Sequence, residues 1–137
     1  MTTPRTTLTD RERAYLQERR FAVLATINAD GSPQLSTMWY VLDENDTIIM
    51  NTKVGRVKER NMRRDPRIAL CFEDGDYITM SGTAVFIDDP EGGQRDIHRL
   101  AVRYNGEEAA GAQMEEQFSK EHRVTVYLKC ERIFADM

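Results

Sequence analysis

The chain has 137 residues, a net charge of −4 and a mean hydropathy of −0.59, which suit one folded domain over residues 1–137. The acidic balance argues against bulk attraction to nucleic acid or an anionic membrane. The longest apolar run, residues 21–27, is too short to span a bilayer, and residues 1–13 lack the apolar region of a signal peptide. Cys71 and Cys130 lie in separate predicted strands, so we expect reduced thiols and a cytoplasmic protein.

The first half of the chain predicts a helix followed by three short strands. Thr9 or Asp10 can cap a helix that runs to about Arg20. The Asp30-Gly31 pair lies between two apolar runs, which is a strong signal for a β-hairpin. The strands are predicted over residues 21–28, 33–43 and 47–52.

The second half predicts another hairpin and more helices. Pro66 ends a helix predicted over residues 54–64, and alternating apolar residues then predict strands over 67–73 and 77–87. Apolar residues at helical spacing predict two helices, marked by Ile97, Leu100, Ala101 and Tyr104 and by Ala110, Met114 and Phe118. Residues 123–128 and 132–135 add one or two strands. Five or six antiparallel strands with inserted helices predict a small α+β barrel.

Residues 51–67 concentrate positive charge in an otherwise acidic protein. A strand ends near Thr52, Lys53 and Gly55, where a helix begins, so free backbone N–H groups would lie beside basic side chains. Arg56, Arg60 and Arg63 can share one helical face. This pattern indicates an anion site, although a solvated basic helix fits the composition equally well. A nucleic-acid patch fits less well because no aromatic residues are interleaved.

Residues 33–40 alternate small polar and large apolar side chains. Such a strand could line a flat pocket, where backbone groups bond the edge of a planar heterocycle while Met38 or Trp39 packs against it. A half-buried barrel strand with no ligand would show the same alternation.

Other chemistries are poorly supported by the sequence. His98 and His122 have no partner at metal-ligand spacing, so we expect no zinc site and place both histidines toward solvent or in local bonds. Ser36 and Ser81 lack a nucleophile elbow, which argues against a hydrolase. The sequence contains no P-loop and no G-x-G-x-x-G element.

Taken in order, these motifs resemble the pyridoxamine 5′-phosphate oxidase-like superfamily over nearly the whole chain. The motifs that carry the resemblance are Leu24-Ala25-Thr26, Asp30-Gly31-Ser32-Pro33, Trp39-Tyr40, Asn51-Thr52-Lys53 and the run from Arg56 to Asn61. Residues 61–67 and the helix at residues 97–104 are most similar to the branch that depends on the deazaflavin coenzyme F420.

The resemblance implies a mainly antiparallel, six-stranded split β-barrel of the FMN-binding type with peripheral helices. It also implies a homodimer with the cofactor in a groove between the subunits. Thr52, Lys53, Arg56 and Lys58 would hold the cofactor phosphate, and residues 36–39 would line the ring. The cofactor-binding residues expected on this basis are Ser36, Thr37, Met38, Trp39, Asn51, Thr52, Lys53, Arg56, Lys58 and Arg60.

Two departures separate this chain from the pyridoxamine phosphate oxidases themselves. The sequence ends at Met137 without their arginine-bearing C-terminal segment, and its phosphate loop reads Arg56-Val57-Lys58 in place of a Ser-Arg-Lys run. We therefore do not expect vitamin B6 chemistry.

The leading hypothesis is an F420-dependent oxidoreductase that transfers a hydride to a small planar or conjugated acceptor. No catalytic acid or base is assigned, although Tyr40 or Tyr77 could supply a proton. One alternative is an FMN-binding oxidoreductase of the same fold, since Arg60 and Arg63 only mildly favour the acidic tail of F420. Another is a non-enzymatic carrier or sensor of flavin or haem.

Overall fold

The computed structural model describes residues 4–137, so residues 1–3 of the predicted domain lie outside the described part. The helices are α1 (Asp10–Gln17), α2 (Val57–Arg64), α3 (Pro90–Asn105) and α4 (Glu107–Glu116), with a 3-10 turn at Phe118–Lys120. The strands are β1 (Ala22–Ile27), β2 (Pro33–Met38), β3 (Val41–Leu42), β4 (Ile48–Lys53), β5 (Arg67–Asp74), β6 (Asp76–Ile87) and β7 (Arg123–Asp136). None of the described helices is long and apolar enough to cross a membrane.

All seven strands form one antiparallel sheet in the order β2-β1-β5-β6-β7-β4-β3. The sheet curls into a half-barrel with helices at its periphery, which confirms the predicted α+β split-barrel class. Both predicted hairpins are present: β1 pairs with β2, and β5 pairs with β6. The last two predicted segments are one continuous strand, β7, whose register with β6 shifts between Ser81 and Gly82.

The sheet has seven strands where six were expected, because the strand predicted over residues 33–43 is interrupted. The Tyr40 backbone N–H leaves the ladder and donates to the Tyr104 hydroxyl at 3.1 Å. The buried Tyr40 hydroxyl donates to the Leu16 carbonyl at 2.9 Å. Beyond this break β3 pairs with β4 instead of β1. A buried tyrosine with two long-range hydrogen bonds therefore divides the predicted strand.

Two helix boundaries also differ from the predicted ones. Helix α1 has the capping box of Thr9 and Glu12 at its start but ends at Gln17, three residues before the expected end. Helix α2 begins at Val57 instead of residue 54, because Gly55 has a φ of 99° and ends the preceding turn in the left-handed region. The start of α2 consequently lies beside the end of β4.

Two apolar cores lie on either side of the candidate site. The larger one fills the half-barrel and includes the fully buried Tyr40, Phe72 and Leu24. The smaller one joins α3, α4 and the 3-10 turn through Ile97, Ala101, Ala110 and Phe118, with Trp39 packed against it. Cys71 and Cys130 are both partly buried free thiols.

Gly93 allows α3 to lie directly on β7. A Cβ at Gly93 would stand 2.1 Å from the Arg123 carbonyl oxygen. We expect Gly93→Ala to lower the free energy of unfolding by about 1–3 kcal/mol, because the backbone must shift to relieve the overlap. Gly111→Ala is the matched control, since a Cβ there meets nothing within 4 Å.

The control should raise the free energy of unfolding by up to about 1 kcal/mol, because alanine restricts the unfolded chain. Urea unfolding at constant pH measures both changes. Equal stabilities for the two variants would contradict the close approach of α3 to β7.

Candidate functional site

A groove opens where β2, β4 and the start of α2 meet α3 and the 3-10 turn. It encloses a cavity of about 180 Å³. Its floor is polar and cationic, whereas its upper wall is apolar. The lining residues are Thr37, Met38, Trp39, Asn51, Thr52, Arg56, Lys58, Ile97, Leu100, Phe118 and Arg123.

Asn51 fixes one end of the groove by joining three elements. Its amide nitrogen donates to the Gly93 carbonyl of α3 at 2.8 Å, and its Oδ1 accepts from Nε of Arg123 on β7 at 3.0 Å. Both Asn51 and Arg123 are buried. Glu121 accepts a further bond from Arg123 at 3.2 Å. The guanidinium of Arg123 is therefore held in one orientation at the groove.

The groove brings three cationic side chains together with little compensation. Arg123 pairs with Glu121, but within residues 4–137 neither Arg56 nor Lys58 has a carboxylate within 4.0 Å. Burial lowers the pKa of Lys58 below its ordinary value, and the charges of Arg56 and Arg123 lower it further. Burial likewise lowers the pKa of Arg123. In both side chains the loss of solvation on burial is the largest cause of the lowered pKa, and for Arg123 the nearby Glu121 offsets it only in part.

Thr52 provides a polar group suited to an anion. Its Oγ1 is buried and has no hydrogen-bond partner in the described part of the chain, which is costly for a hydroxyl. Helix α2 starts close by, and its N-cap residue Arg56 makes no side-chain capping bond. The first N–H groups of α2 therefore remain available. A phosphate would satisfy the hydroxyl and neutralise the cations, so these residues fit a phosphate-bearing cofactor.

Seven of the ten residues expected to bind a cofactor line this one groove: Thr37, Met38, Trp39, Asn51, Thr52, Arg56 and Lys58. Ser36, Lys53 and Arg60 do not line it. Ser36 lies opposite Leu24 in the β1–β2 ladder, and Lys53 instead approaches Glu121 at 3.6 Å. Arg60 is exposed on α2. None of these three residues contributes to the lining of the cavity, and their role as ligands stays a prediction.

The face predicted for Arg56, Arg60 and Arg63 is only partly available to a ligand. Arg63 makes two bonds to Asp88, at 2.6 and 2.9 Å, and a third to Glu59 at 3.0 Å. Its guanidinium also lies 3.7 Å from the centre of the Phe86 ring. Arg63 therefore anchors α2, whereas Arg56 is directed to the groove.

Four lining residues were not predicted: Ile97, Leu100, Phe118 and Arg123. The helical spacing of Ile97 and Leu100 indicated an apolar stripe but not that this stripe closes a cavity. Arg123 begins a strand two residues after the acidic Glu121, a pattern shared by many surface arginines. The position of Arg123 at the groove depends on its hydrogen bond to Asn51, which is 72 residues away in sequence.

Trp39 forms the aromatic boundary of the groove. Its ring stacks on Tyr104 with centroids 5.1 Å apart and planes 8° apart, and it meets Phe118 edge-on at 6.4 Å. Each such pair contributes about 0.5–1.5 kcal/mol beyond area burial. A half-buried indole held in this way offers a fixed apolar surface to a planar ligand.

An antiparallel half-barrel with a groove between its sheet and helices is the architecture of split-barrel cofactor-binding proteins. The sequence model of the family described as pyridoxamine 5′-phosphate oxidase matches residues 8–134, and the chain belongs to this family. This finding confirms the superfamily resemblance.

Solved structures extend the similarity. A conserved hypothetical protein from Mycobacterium tuberculosis is 28% identical with a TM-score of 0.79, over 98% of this chain and 89% of that one. An F420 reductase is 21% identical with a TM-score of 0.73, over 93% and 98% of the two chains. HutZ, the haem storage protein from Vibrio cholerae, is 20% identical with a TM-score of 0.69, over 93% of each chain. The last two show a shared fold alone.

Lys58→Met tests whether the groove carries uncompensated charge. The pKa of Lys58 lies below its ordinary value of 10.5, so between those two values the unfolded chain binds more protons than the folded one, and stability rises with pH. We expect the variant to be more stable than the parent at pH 7 by less than about 1 kcal/mol, because the half-buried amine is partly screened.

The stability difference between variant and parent should shrink as the pH approaches 10.5. Urea unfolding across pH 7 to about 10 measures this trend. Lys129→Met is the control, since Lys129 is exposed on β7, away from the groove. A destabilised Lys58→Met protein at pH 7 would argue that the amine is already satisfied.

Proposed function

We propose that the protein is an F420-dependent oxidoreductase that reduces a small planar or conjugated organic acceptor. The observation that carries the proposal is the pairing, in one groove, of a buried unsatisfied hydroxyl at Thr52 with the uncompensated cations Arg56 and Lys58. Such a floor selects a phosphate, and the aromatic wall beside it selects a planar ring. When bound, the reduced deazaflavin supplies the hydride.

The protein's own contribution is binding, orientation and exclusion of water. Arg123 and Lys58 supply charged donors to a phosphate, and Thr52 supplies a neutral one. Ile97, Leu100 and Phe118 form a dry wall along the groove. Holding the reactants in a fixed geometry can account for a large part of the rate in such a reaction.

Neither tyrosine considered as a proton donor lines the groove. The Tyr40 hydroxyl is buried and donates to the Leu16 carbonyl, and burial raises its pKa. Tyr77 lies on β6, where its ring approaches Phe134 at 6.0 Å. In this proposal the proton comes from water or from the acceptor's surroundings, and no side chain is assigned as a catalytic acid.

F420 is preferred over FMN on two grounds. The fold is similar to that of an F420 reductase, and Arg60 is exposed on α2 one helical turn after the groove residue Arg56, where it could meet an acidic tail. Because Arg63 is occupied by Asp88 and Glu59, the electrostatic preference rests on Arg60 alone. FMN would use the same phosphate floor and remains the alternative cofactor.

A haem carrier is the non-enzymatic alternative, suggested by the similarity in fold to HutZ. The only sulfur or imidazole among the residues lining the groove is the thioether of Met38, which already accepts from Nζ of Lys58 at 3.0 Å. His98 and His122 are exposed elsewhere. The groove residues therefore favour a phosphate-bearing cofactor over haem.

We further propose that the protein acts as a homodimer through the outer face of its sheet. Paired positions across four strands form an apolar row in which Val23 lies beside Cys71, Cys71 beside Thr79, and Thr79 beside Phe134. Leu35 extends the face onto β2 and is 63% exposed, while Phe134 is 55% exposed. The face reaches the groove at Thr37, which pairs with Val23.

A second copy on this face would also enlarge the site. The cavity of about 180 Å³ is smaller than the roughly 300–1,000 Å³ of a typical cofactor pocket. A partner subunit adjoining Thr37 would add the missing wall, and an isologous two-fold dimer would provide two equivalent sites.

Titration of the purified protein with F420 and FMN, followed by cofactor fluorescence, tests the function directly. We expect tighter binding of F420, weakened at least about a hundredfold in Arg56→Ala/Lys58→Ala because two charge-assisted contacts are lost. Arg11→Ala/Lys129→Ala is the matched control, since it removes the same charge from exposed positions outside the groove.

If F420 binding is weakened equally in both double variants, the effect is one of net charge alone. If Arg56→Ala/Lys58→Ala keeps the affinity of the parent, the groove is not the cofactor site. Preferential binding of FMN would identify FMN, and not F420, as the cofactor. Reduction of an acceptor by the F420-loaded protein then separates an enzyme from a carrier.

Leu35→Asp tests the dimer. A carboxylate buried in an apolar interface is strongly unfavourable, so we expect sedimentation equilibrium to show dimers for the parent and monomers for the variant. Ala112→Asp, on the exposed side of α4, should stay dimeric. A monomeric parent protein at micromolar concentration would contradict the shared groove.

A further inference from the structure

A second cavity, here called the aromatic cavity, lies on the far side of Trp39 from the groove. It encloses about 320 Å³ and is lined by Arg19, Arg20, Phe21, Trp39, Tyr104 and Asn105. Trp39 lines both cavities, so one indole ring forms their common boundary. The aromatic cavity was not indicated by any sequence motif, and the proposed cofactor contacts do not use it.

The aromatic side chains of this cavity are held in a fixed arrangement. Phe21 and Trp39 both stack on Tyr104, at 5.6 and 5.1 Å between ring centroids. Tyr104 is itself anchored, because its hydroxyl accepts from the Tyr40 backbone N–H and donates to the Arg20 carbonyl. Phe21 is nevertheless 58% exposed. A large exposed aromatic beside a preformed cavity offers a stacking surface to a planar ligand.

The charged side chains of the cavity are both arginines, and none of its lining residues is acidic. Arg19 uses one donor for the Tyr104 carbonyl, at 3.0 Å, and has no carboxylate within 4.0 Å in the described chain. The Arg20 side chain is only 7% exposed, and its nearest carboxylates, Glu18 and Asp74, stand 3.7 and 3.8 Å away. Its Nε is buried without a hydrogen-bond partner among the described residues. Arg20 is already engaged, because its guanidinium donates to the Tyr15 carbonyl and lies 3.6 Å from the centre of the Tyr15 ring. The remaining donors of Arg19 suit a carboxylate.

We propose that the aromatic cavity binds a planar, conjugated carboxylate, with the ring against Phe21 and Trp39 and the carboxylate toward Arg19. Binding in this cavity does not require a cofactor. Hydride transfer needs the reacting atoms within about 3.5 Å of each other, and the Trp39 ring stands between the two cavities. The carboxylate is therefore proposed as a ligand of this cavity and not as the hydride acceptor.

The single tryptophan of the chain is Trp39, so its fluorescence reports on ligands in either of the two cavities that it lines. The probes are 2-naphthoate and its neutral analogue 2-naphthamide, titrated into the full-length protein without cofactor. We expect 2-naphthoate to quench Trp39 and to bind about tenfold more tightly than the amide, because only the acid gains charge-assisted hydrogen bonds.

Two variants separate the charged contact from the stacking contact. Arg19→Gln keeps a donor for the Tyr104 carbonyl but removes the charge, so it should weaken 2-naphthoate several-fold and leave 2-naphthamide unchanged. Phe21→Ala should weaken both probes equally. Arg11→Gln is the control for charge, and urea unfolding confirms that each variant is folded. Equal affinities for acid and amide, or an unaltered affinity for 2-naphthoate in Arg19→Gln, would overturn the proposal.

Competition distinguishes this cavity from the groove. Inorganic pyrophosphate, which is directed to Arg56 and Lys58, should not displace 2-naphthoate; displacement would place the probe in the groove and refute the inference. Binding of 2-naphthoate with no binding of F420 or FMN would remove the proposed function and leave the carboxylate site intact. Cofactor binding without 2-naphthoate binding would remove the carboxylate site and leave the proposed function intact.

Discussion

The side chain of Asn51 joins the three elements on which the groove depends. It lies on β4, donates to the carbonyl of Gly93 on α3 and accepts from Arg123 on β7. Both contacts are buried, so each hydrogen bond also satisfies a polar group that would otherwise be costly. Gly93 contributes by lacking a Cβ, which allows α3 to approach the Arg123 carbonyl. The hydrogen bonds of Asn51 therefore fix both the position of α3 as the wall of the cavity and the orientation of Arg123.

The same arrangement leaves positive charge in the groove without an equivalent negative charge. Glu121 pairs with Arg123 and lies 3.6 Å from Lys53, whereas Lys58 donates to the sulfur of Met38 and has no carboxylate within 4.0 Å among residues 4–137. The lowered pKa of Lys58 and the unpartnered hydroxyl of Thr52 both indicate a cost in the free protein. Sites that bind strongly charged ligands often carry such a cost, because the ligand relieves it. This is the physical basis for assigning a phosphate to the groove.

Local signals predicted most of the fold, whereas long-range contacts decided the details of the site. The Asp30-Gly31 turn and the spacing of Ile97, Leu100 and Tyr104 are features of neighbouring residues, and the hairpin and α3 follow from them. The division of the strand at Tyr40 depends on Tyr104, 64 residues away. Arg123 was missed, and the approach of Lys53 to Glu121 was not foreseen, for the same reason, since the contacts of Arg123 with Asn51 and of Lys53 with Glu121 join residues far apart in sequence.

A crystal structure of the protein with F420 tests the central claim most directly. The account predicts that the cofactor phosphate accepts hydrogen bonds from Oγ1 of Thr52, Nζ of Lys58 and the guanidinium groups of Arg56 and Arg123, with the ring system extending along β2 toward Trp39. A phosphate bound elsewhere, with Thr52 still unpartnered and Lys58 still on Met38, would contradict it.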